Sequence, residues 1–305
     1  MRISSLYHSS AMLAQLGTTG VKVGKLMEQL ATQKRVNVPS DDPVAASRLV
    51  QLNREQSAIK QYQSNITRLS GALSVQESHI TALSNQVLAI GDKLKLANNS
   101  SLSQKDMAGY GVELASMLDS LVATLNSKNE NGSYLFSGTQ SDRQTVTWDD
   151  ALGEYVYGGN NGTRETQVAN GVSITENTHV AGAFSSTGND LEMLNSLKSL
   201  SEKMQDPDAR YADYQDELTS MIEMAQSTSD NLGSLLTDLG GRQNRLTLID
   251  EAHTDVSLSN ELVQNALGSA DSATTTINLQ LYTLSMQLTS QAYSKVSQLN
   301  LFSML

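Results

Sequence analysis

Few side chains in this 305-residue chain could do chemistry, and they are scattered. His8, His79, His179 and His253 stand far apart, and none belongs to an H-E-x-x-H pair that would aim two imidazoles at one zinc ion. They read as surface or helix-seam residues. Gly20-Val21-Lys22-Val23-Gly24-Lys25-Leu26 has the outline of a phosphate loop. Its glycines are one residue too close for the backbone to cradle phosphates, and Leu26 stands where a hydroxyl would reach magnesium. Asp206, Asp208, Asp213 and Asp216 gather acidity without the glycine turn of a calcium loop, which suits the solvated start of a helix. There is no G-x-S-x-G elbow and no Cys. The sequence therefore predicts no catalytic residue, no cofactor site and no metal site, and an enzyme is its weakest reading.

Charge narrows the classes further. The net charge is −11, which argues against a general nucleic-acid binder, because phosphate contacts need clustered Lys and Arg. Residues 1–60 are locally basic and the rest strongly acidic, while residues 271–305 carry only Asp271 and Lys295 as charged side chains. The first residues lack the apolar core of a signal peptide, and no apolar run is long enough to span a bilayer. Alone, these facts predict a soluble cytoplasmic protein with no membrane insertion, unless an export route bypasses cleavable signals.

The elements that would have to position any site are mostly helical. Residues 3–33 carry an apolar stripe of Leu13, Leu16, Gly20, Val23, Met27 and Leu30, extended by Ile3 and Leu6. Pro39 and Pro43 break it. Asp41 or Asp42 can cap the next helix, with Pro43 in its first turn. That helix, 44–97, has Leu52, Ile59, Ile66, Leu73, Ile80, Val87 and Leu94 at intervals of seven, with a companion series from Glu55 and Tyr62 to Ala97. Asn98-Asn99-Ser100 ends it, and a shorter helix follows at 104–128. Residues 131–188 change character, with Gly, Thr, Val and aromatics. Strands are expected at 145–148 and 155–157, and a hairpin at 168–174 around a type I′ turn at Asn170-Gly171. Helix returns at 190–205, then at 211–268, where Gly240-Gly241 predicts a close helix approach or a bend. The last helix covers 271–302, with a stripe of Ile277, Leu281, Leu284, Leu288, Ala292, Val296 and Leu299, and Phe302 near its end.

The predicted class is mainly α: an elongated, antiparallel, coiled-coil-like bundle with paired N- and C-terminal helices and a small inserted β domain. The expected division is a terminal helical assembly domain, 1–40 with 270–305; a helical rod, 41–130 with 190–269; and a β-rich insert, 131–189, projecting at the far tip. The heptad series of 49–97, and that of 211–268 with Leu218, Ala225, Leu232, Leu239 and Leu246 at one position and Met221, Leu235, Ile249, Val256 and Val263 at the companion one, are read as internal core. The terminal stripes are not. Two helices make only a thin hairpin, and 271–305 has almost no charge to solubilise its outer face. Its Ser, Thr and Gln suit a helix surrounded by other helices, so these stripes are expected to pack between subunits.

Three segments, and with them the closing residues, then carry a resemblance. Met1-Arg2-Ile3-Ser4, followed by T-Q-K-R-V-N-V-P-S-D-D-P-V-A-A-S-R at 32–48, resembles the start of the hook-associated protein 3 family, hook–filament junction proteins within the flagellin superfamily. N-G-S-Y-L-F-S-G-T at 131–139 is similar to that family's lead-in to its β domain. Leu239-Gly240-Gly241-Arg242-Gln243-Asn244-Arg245-Leu246 is similar to the flagellin C-terminal bundle motif, and 292–302 to the final helix. The resemblance implies an extracellular structural protein of the bacterial flagellum, between hook-associated protein 1 and the flagellin filament, packed with copies of itself in a ring. It also implies type III export aided by a cytosolic chaperone that binds the C-terminal region. A flagellin filament subunit is the alternative. A secreted coiled-coil effector or adhesin with a ligand-binding β insert is a further one.

Overall fold

A computed structural model describes residues 2–185 and 190–302, and the side chains of 7–185 and 190–298. Six helices dominate: α1 (Arg2–Thr32), α2 (Pro43–Ala97), α3 (Gln104–Leu125), α4 (Glu192–Gln205), α5 (Tyr211–Gly268) and α6 (Ser272–Phe302). Between α3 and α4 lie four short strands, β1 (Val146–Asp149), β2 (Glu154–Tyr157), β3 (Glu165–Ala169) and β4 (Val172–Thr175), and a 3-10 turn at Ala181–Phe184. The chain divides into two compact units. One joins 1–59 to 254–305, and the other is 60–253.

The larger unit holds the core. The heptad residues Ile66, Leu73, Ile80, Val87 and Leu94 of α2 are buried against Leu218, Ala225, Leu232, Leu239 and Leu246 of α5 in one apolar cluster. A seven-residue apolar repeat keeps one face of each helix turned inward over several turns. Leu114, Leu118, Leu121 and Leu125 of α3 and Leu194, Leu197, Leu200 and Met204 of α4 join the same cluster. α3 begins with a reciprocal cap. The Asp106 amide donates to Ser103 Oγ at 3.3 Å, and the Ser103 amide to Asp106 Oδ2 at 3.3 Å. Gly111 lets α3 and α4 approach closely, since a Cβ there would stand 2.9 Å from the Ser201 carbonyl oxygen. α4 stops at Gln205, before Pro207, which cannot continue a helix.

The insert does not project from the bundle. Phe136, Val146, Val168, Ile174 and Phe184 are buried in the helical cluster itself. The helices also bond the insert's backbone: Gln76 Nε2 donates to the Glu176 carbonyl at 2.8 Å, Asn65 Nδ2 to that of Gln167 at 2.9 Å, and Arg242 Nη1 to that of Asn177 at 3.1 Å. His253 Nε2 lies 2.7 Å from the Val168 carbonyl oxygen, its ring stacked on Tyr62. The physical reason is size. β1 pairs only with β2 and β3 only with β4, and two-stranded hairpins are marginal in water without a surface to cover them.

Three further expectations need correction. The turn between β3 and β4 is not type I′, because Gly171 has φ +72° while Asn170 does not share a positive φ. A bulge between Gln167 and Ala169 supplies the local twist instead. Gly240 and Gly241 mark no close approach, since a Cβ on either would meet nothing within 4 Å, and α5 runs through them unbroken. Finally, the companion heptad series is not internal core throughout. Glu55 of α2 and Val256 and Val263 of α5 are exposed.

Candidate assembly interface

The smaller unit is built from the chain's two ends and the polar connections behind them. α1 and α6 pack side by side, antiparallel, and Lys22 Nζ sits 5.1 Å from the ring centre of Tyr282. Thr19 of α1 and Thr275 of α6 are buried. Thr19 Oγ1 satisfies itself on the Gln15 carbonyl at 2.8 Å, so the hydroxyl enters the unit without an orphaned polar atom.

Gln33 ends α1 with φ 57°, in the left-handed region a helix often uses at its C-terminal exit. The chain then pairs with the connection between α5 and α6. The Arg35 amide donates to the Gly268 carbonyl at 2.7 Å, and the Ala270 amide to that of Gln33 at 3.0 Å. The Arg35 guanidinium closes the joint. Nε and Nη2 donate to the Leu267 carbonyl at 3.1 and 2.8 Å, and Nη1 to Asp42 Oδ2 at 3.1 Å. A planar fork of five donors suits such a three-way tie. It also answers a carbonyl that the end of α5 leaves without a helical partner.

The two aspartates divide their work. Asp42 Oδ1 accepts from the Ala45 amide at 3.0 Å and so caps α2, with Pro43 at its first position, as the sequence predicts. That amide, then the Arg35 guanidinium, hold its carboxyl below the usual range. Asp41 Oδ1 takes Lys25 Nζ of α1 at 2.9 Å, and Oδ2 accepts from the Asn37 and Val38 amides at 3.0 and 3.1 Å. The Lys25 hydrogen bond, then these two amides, lower its pKa to about 2. Asp271 caps α6 through the Ala273 amide at 3.0 Å and Thr274 Oγ1 at 2.6 Å. One of the two charges of the C-terminal segment is thus occupied at the helix start.

The predicted stripes fall into two sets. Leu16, Val23, Leu30, Ala292 and Val296 are half-buried. Leu13 and Met27 are exposed, and so are Ile277, Leu281, Leu284 and Leu288, each with more than half its surface open. The side chains of Ile3, Leu6, Leu299 and Phe302 lie outside the described residues. Most of the large apolar side chains left exposed among the described residues belong to this smaller unit, including Tyr7, Val21, Leu258 and Leu262. Its fully buried apolar side chains, among those described, are only Ala45, Leu52 and Ile59. A unit so poor in core cannot draw much stability from its own burial. No group of residues suited to a metal ion is found among the described residues, and no described helix is long and apolar enough to cross a membrane.

Sequence reasoning missed the joint between the two connections. Its acceptors are backbone carbonyls of Leu267, Gly268 and Gln33, which no side-chain motif marks. It also missed Thr19, Thr275 and Tyr282 as inward positions, since an apolar stripe search passes over hydroxyls.

The class is flagellin-like: residues 3–141 match the bacterial flagellin N-terminal helical region. A solved structure of a flagellar hook-associated protein from Vibrio parahaemolyticus is 34% identical, with a TM-score of 0.69, and the match covers 75% of this chain and all of that one. Flagellar hook-associated protein 3 of Escherichia coli is 26% identical over 295 residues, 91% of each chain. That of Salmonella typhimurium is 31% identical over 169 residues, and the matched region spans about half its length, 53%, and 55% of this chain. The chain belongs to the flagellar hook-associated proteins, structural proteins of the bacterial flagellum.

Proposed function

We propose that this chain is the adaptor that joins the hook-associated protein 1 zone to the flagellin filament, forming a ring with copies of itself. The observation that carries the reading is the imbalance of the smaller unit. It has almost no core of its own and an uncommon share of the exposed apolar side chains. Such a surface is covered in the working state by other subunits. The assembly residues are those of the terminal stripes: Ile3, Leu6, Leu13, Leu16, Val23, Met27 and Leu30 of α1, and Ile277, Leu281, Leu284, Leu288, Ala292, Val296, Leu299 and Phe302 of α6. Residues 1–40 with 270–305 act as the assembly domain, 41–130 with 190–269 as the rod, and 131–189 as the β insert. The protein works outside the cell at the hook–filament junction. It leaves through the flagellar export channel without a cleavable signal, and a cytosolic chaperone covers its C-terminal region until then.

The experiment is deletion of the gene with recovery of the flagella. Hooks should remain, filaments should be absent, and flagellin should appear in the medium. Purified protein seeded with flagellar fragments should not extend long filaments, because an adaptor presents different surfaces to its two neighbours. Growth of the purified protein alone into filaments of indefinite length would establish the flagellin alternative instead, since only a head-to-tail contact whose rotation fails to close into a ring repeats without end.

A further inference from the structure

Asparagine is followed by glycine at Asn131-Gly132, Asn161-Gly162 and Asn170-Gly171. Such a pair can react without an enzyme. The glycine amide nitrogen, with no side chain beside it, can attack the asparagine Cγ and expel the side-chain nitrogen as ammonia. The fold treats the three pairs differently. The Gly132 amide donates to the Asn129 carbonyl at 2.9 Å, and Asn129 Oδ1 accepts from the Asn131 and Ser133 amides, each at 3.0 Å. The Gly162 amide donates to Asn160 Oδ1 at 3.1 Å, and a Cβ on Gly162 would lie 2.7 Å from Thr139. In both pairs the attacking nitrogen must first give up a hydrogen bond before its peptide plane can turn.

Asn170-Gly171 carries no such restraint. It forms the two-residue turn between β3 and β4, where Ala169 pairs with Val172, and both turn residues are exposed. Among the described residues the Gly171 amide donates to no acceptor, and a Cβ on Gly171 would meet nothing within 4 Å.

We propose that Asn170 is a site of spontaneous modification, converted in the folded chain through a cyclic imide to aspartate and isoaspartate. The Gly171 nitrogen bonds to Asn170 Cγ as the Cγ–Nδ2 bond breaks, and the glycine amide proton leaves with the ammonia. Water then opens the five-membered ring, and nothing is oxidised or reduced. Addition at Cγ frees the Gly171 nitrogen from the side chain and leaves aspartate. Addition at the main-chain carbonyl of residue 170 leaves the backbone running through Cβ and Cγ, one carbon longer, with the α-carboxylate as a branch. Either product adds a negative charge at neutral pH. The longer backbone has the larger consequence, because a two-residue turn sets the register of its hairpin. In that register Val168 and Ile174 are buried in the shared core. The carbonyls by which Asn65 and His253 hold β3, those of Gln167 and Val168, lie within three residues of the altered link. Conversion therefore loosens the seat of the insert, and it accumulates with the time the chain has stood folded.

Purified full-length protein is held folded in mildly alkaline buffer, and a second portion is held in denaturant. Samples taken over time are digested, and mass spectrometry with electron-transfer fragmentation separates asparagine, aspartate and isoaspartate at the three positions. The expected result is conversion at Asn170 several-fold faster than at Asn131 and Asn161 in the folded protein, and similar rates at all three in denaturant. A folded-state rate at Asn131 or Asn161 that matches the rate at Asn170, no conversion at Asn170, or the same preference in denaturant overturns the proposal. The structural consequence is read on the same samples. The denaturant midpoint should fall as isoaspartate accumulates. It should hold through the same incubation in Asn170→Gln, whose longer side chain would have to close a less favoured six-membered ring. An unchanged midpoint after most of the protein has converted, or an equal fall in Asn170→Gln, overturns the loosening of the insert.

Discussion

Leu284→Asp and Leu73→Ala separate assembly from folding, and the structure sets the size of each effect. Leu73 has no exposed surface and belongs to the apolar cluster shared by α2 and α5. Its truncation removes buried methyl groups and leaves a cavity, which costs about 2–5 kcal/mol. Leu284 is 52% exposed, so roughly half its surface already faces water in the free chain. Complete burial of a Leu is worth about 1.5–3 kcal/mol, which leaves about 1 kcal/mol to be gained there on assembly, and about 4 kcal/mol over Ile277, Leu281, Leu284 and Leu288 together. An aspartate at position 284 reverses the sign, because an unpaired carboxylate taken out of water costs several kcal/mol. Circular-dichroism melts of purified protein should therefore show Leu73→Ala well below the native chain and Leu284→Asp within about 0.5 kcal/mol of it, as for a surface change. Immunoblots of isolated flagella should show the reverse order, with Leu284→Asp absent and Leu73→Ala present at permissive temperature. Normal incorporation of Leu284→Asp, or a melt as low as that of Leu73→Ala, would refute the reasoning.

Acid should loosen the joint behind the hairpin in a defined window. The pKa of Asp41 is depressed to about 2 by Lys25 and the Asn37 and Val38 amides, so its contribution is complete above the ordinary carboxylate pKa of about 3.9 and is lost as pH falls through about 2. NMR titration of the Asp41 carboxyl should show that low midpoint, and Lys25→Met should raise it. Gly138→Ala should unseat the β insert. At φ +69° its Cβ would stand 1.9 Å from the Asn160 carbonyl oxygen, and the melt should fall by more than the roughly 1–3 kcal/mol of backbone strain alone. Replacing residues 164–177 with a Gly/Ser linker should weaken the helices too. Val168 and Ile174 leave the shared core, at a cost on the order of 5 kcal/mol, which a denaturant titration would register as a lower midpoint.

The fold was legible wherever a period repeated. Leu52 to Leu94 at steps of seven specify a long helix and its inner face, and all are buried. Pro43 after Asp42 marks the start of α2 because both act locally. Legibility fails where the decisive group is backbone. The placement of the insert depends on the Glu176, Asn177 and Val168 carbonyls, and nothing in those residue names says that Gln76, Arg242 or His253 will reach them. The terminal stripes were half legible for another reason. Apolar residues cover α1 and α6 more widely than one seam requires, so the spacing alone does not divide the face that meets the partner helix from the face left open. Leu16 and Leu13 illustrate it: three positions apart on one predicted stripe, yet the first is half-buried and the second exposed.

The joint of Arg35, Asp42 and Leu267 has a mechanical consequence. The connections leaving α1 and entering α6 are tied laterally by the Arg35 fork and two backbone hydrogen bonds. A torque applied to the hairpin therefore loads both connections at once, in parallel, and no single connection can swivel about its own bonds until the cross-tie yields. Two free single-chain linkers would act as a universal joint and dissipate rotation as slack. Two linkers braced against each other behave as a short stiff shaft.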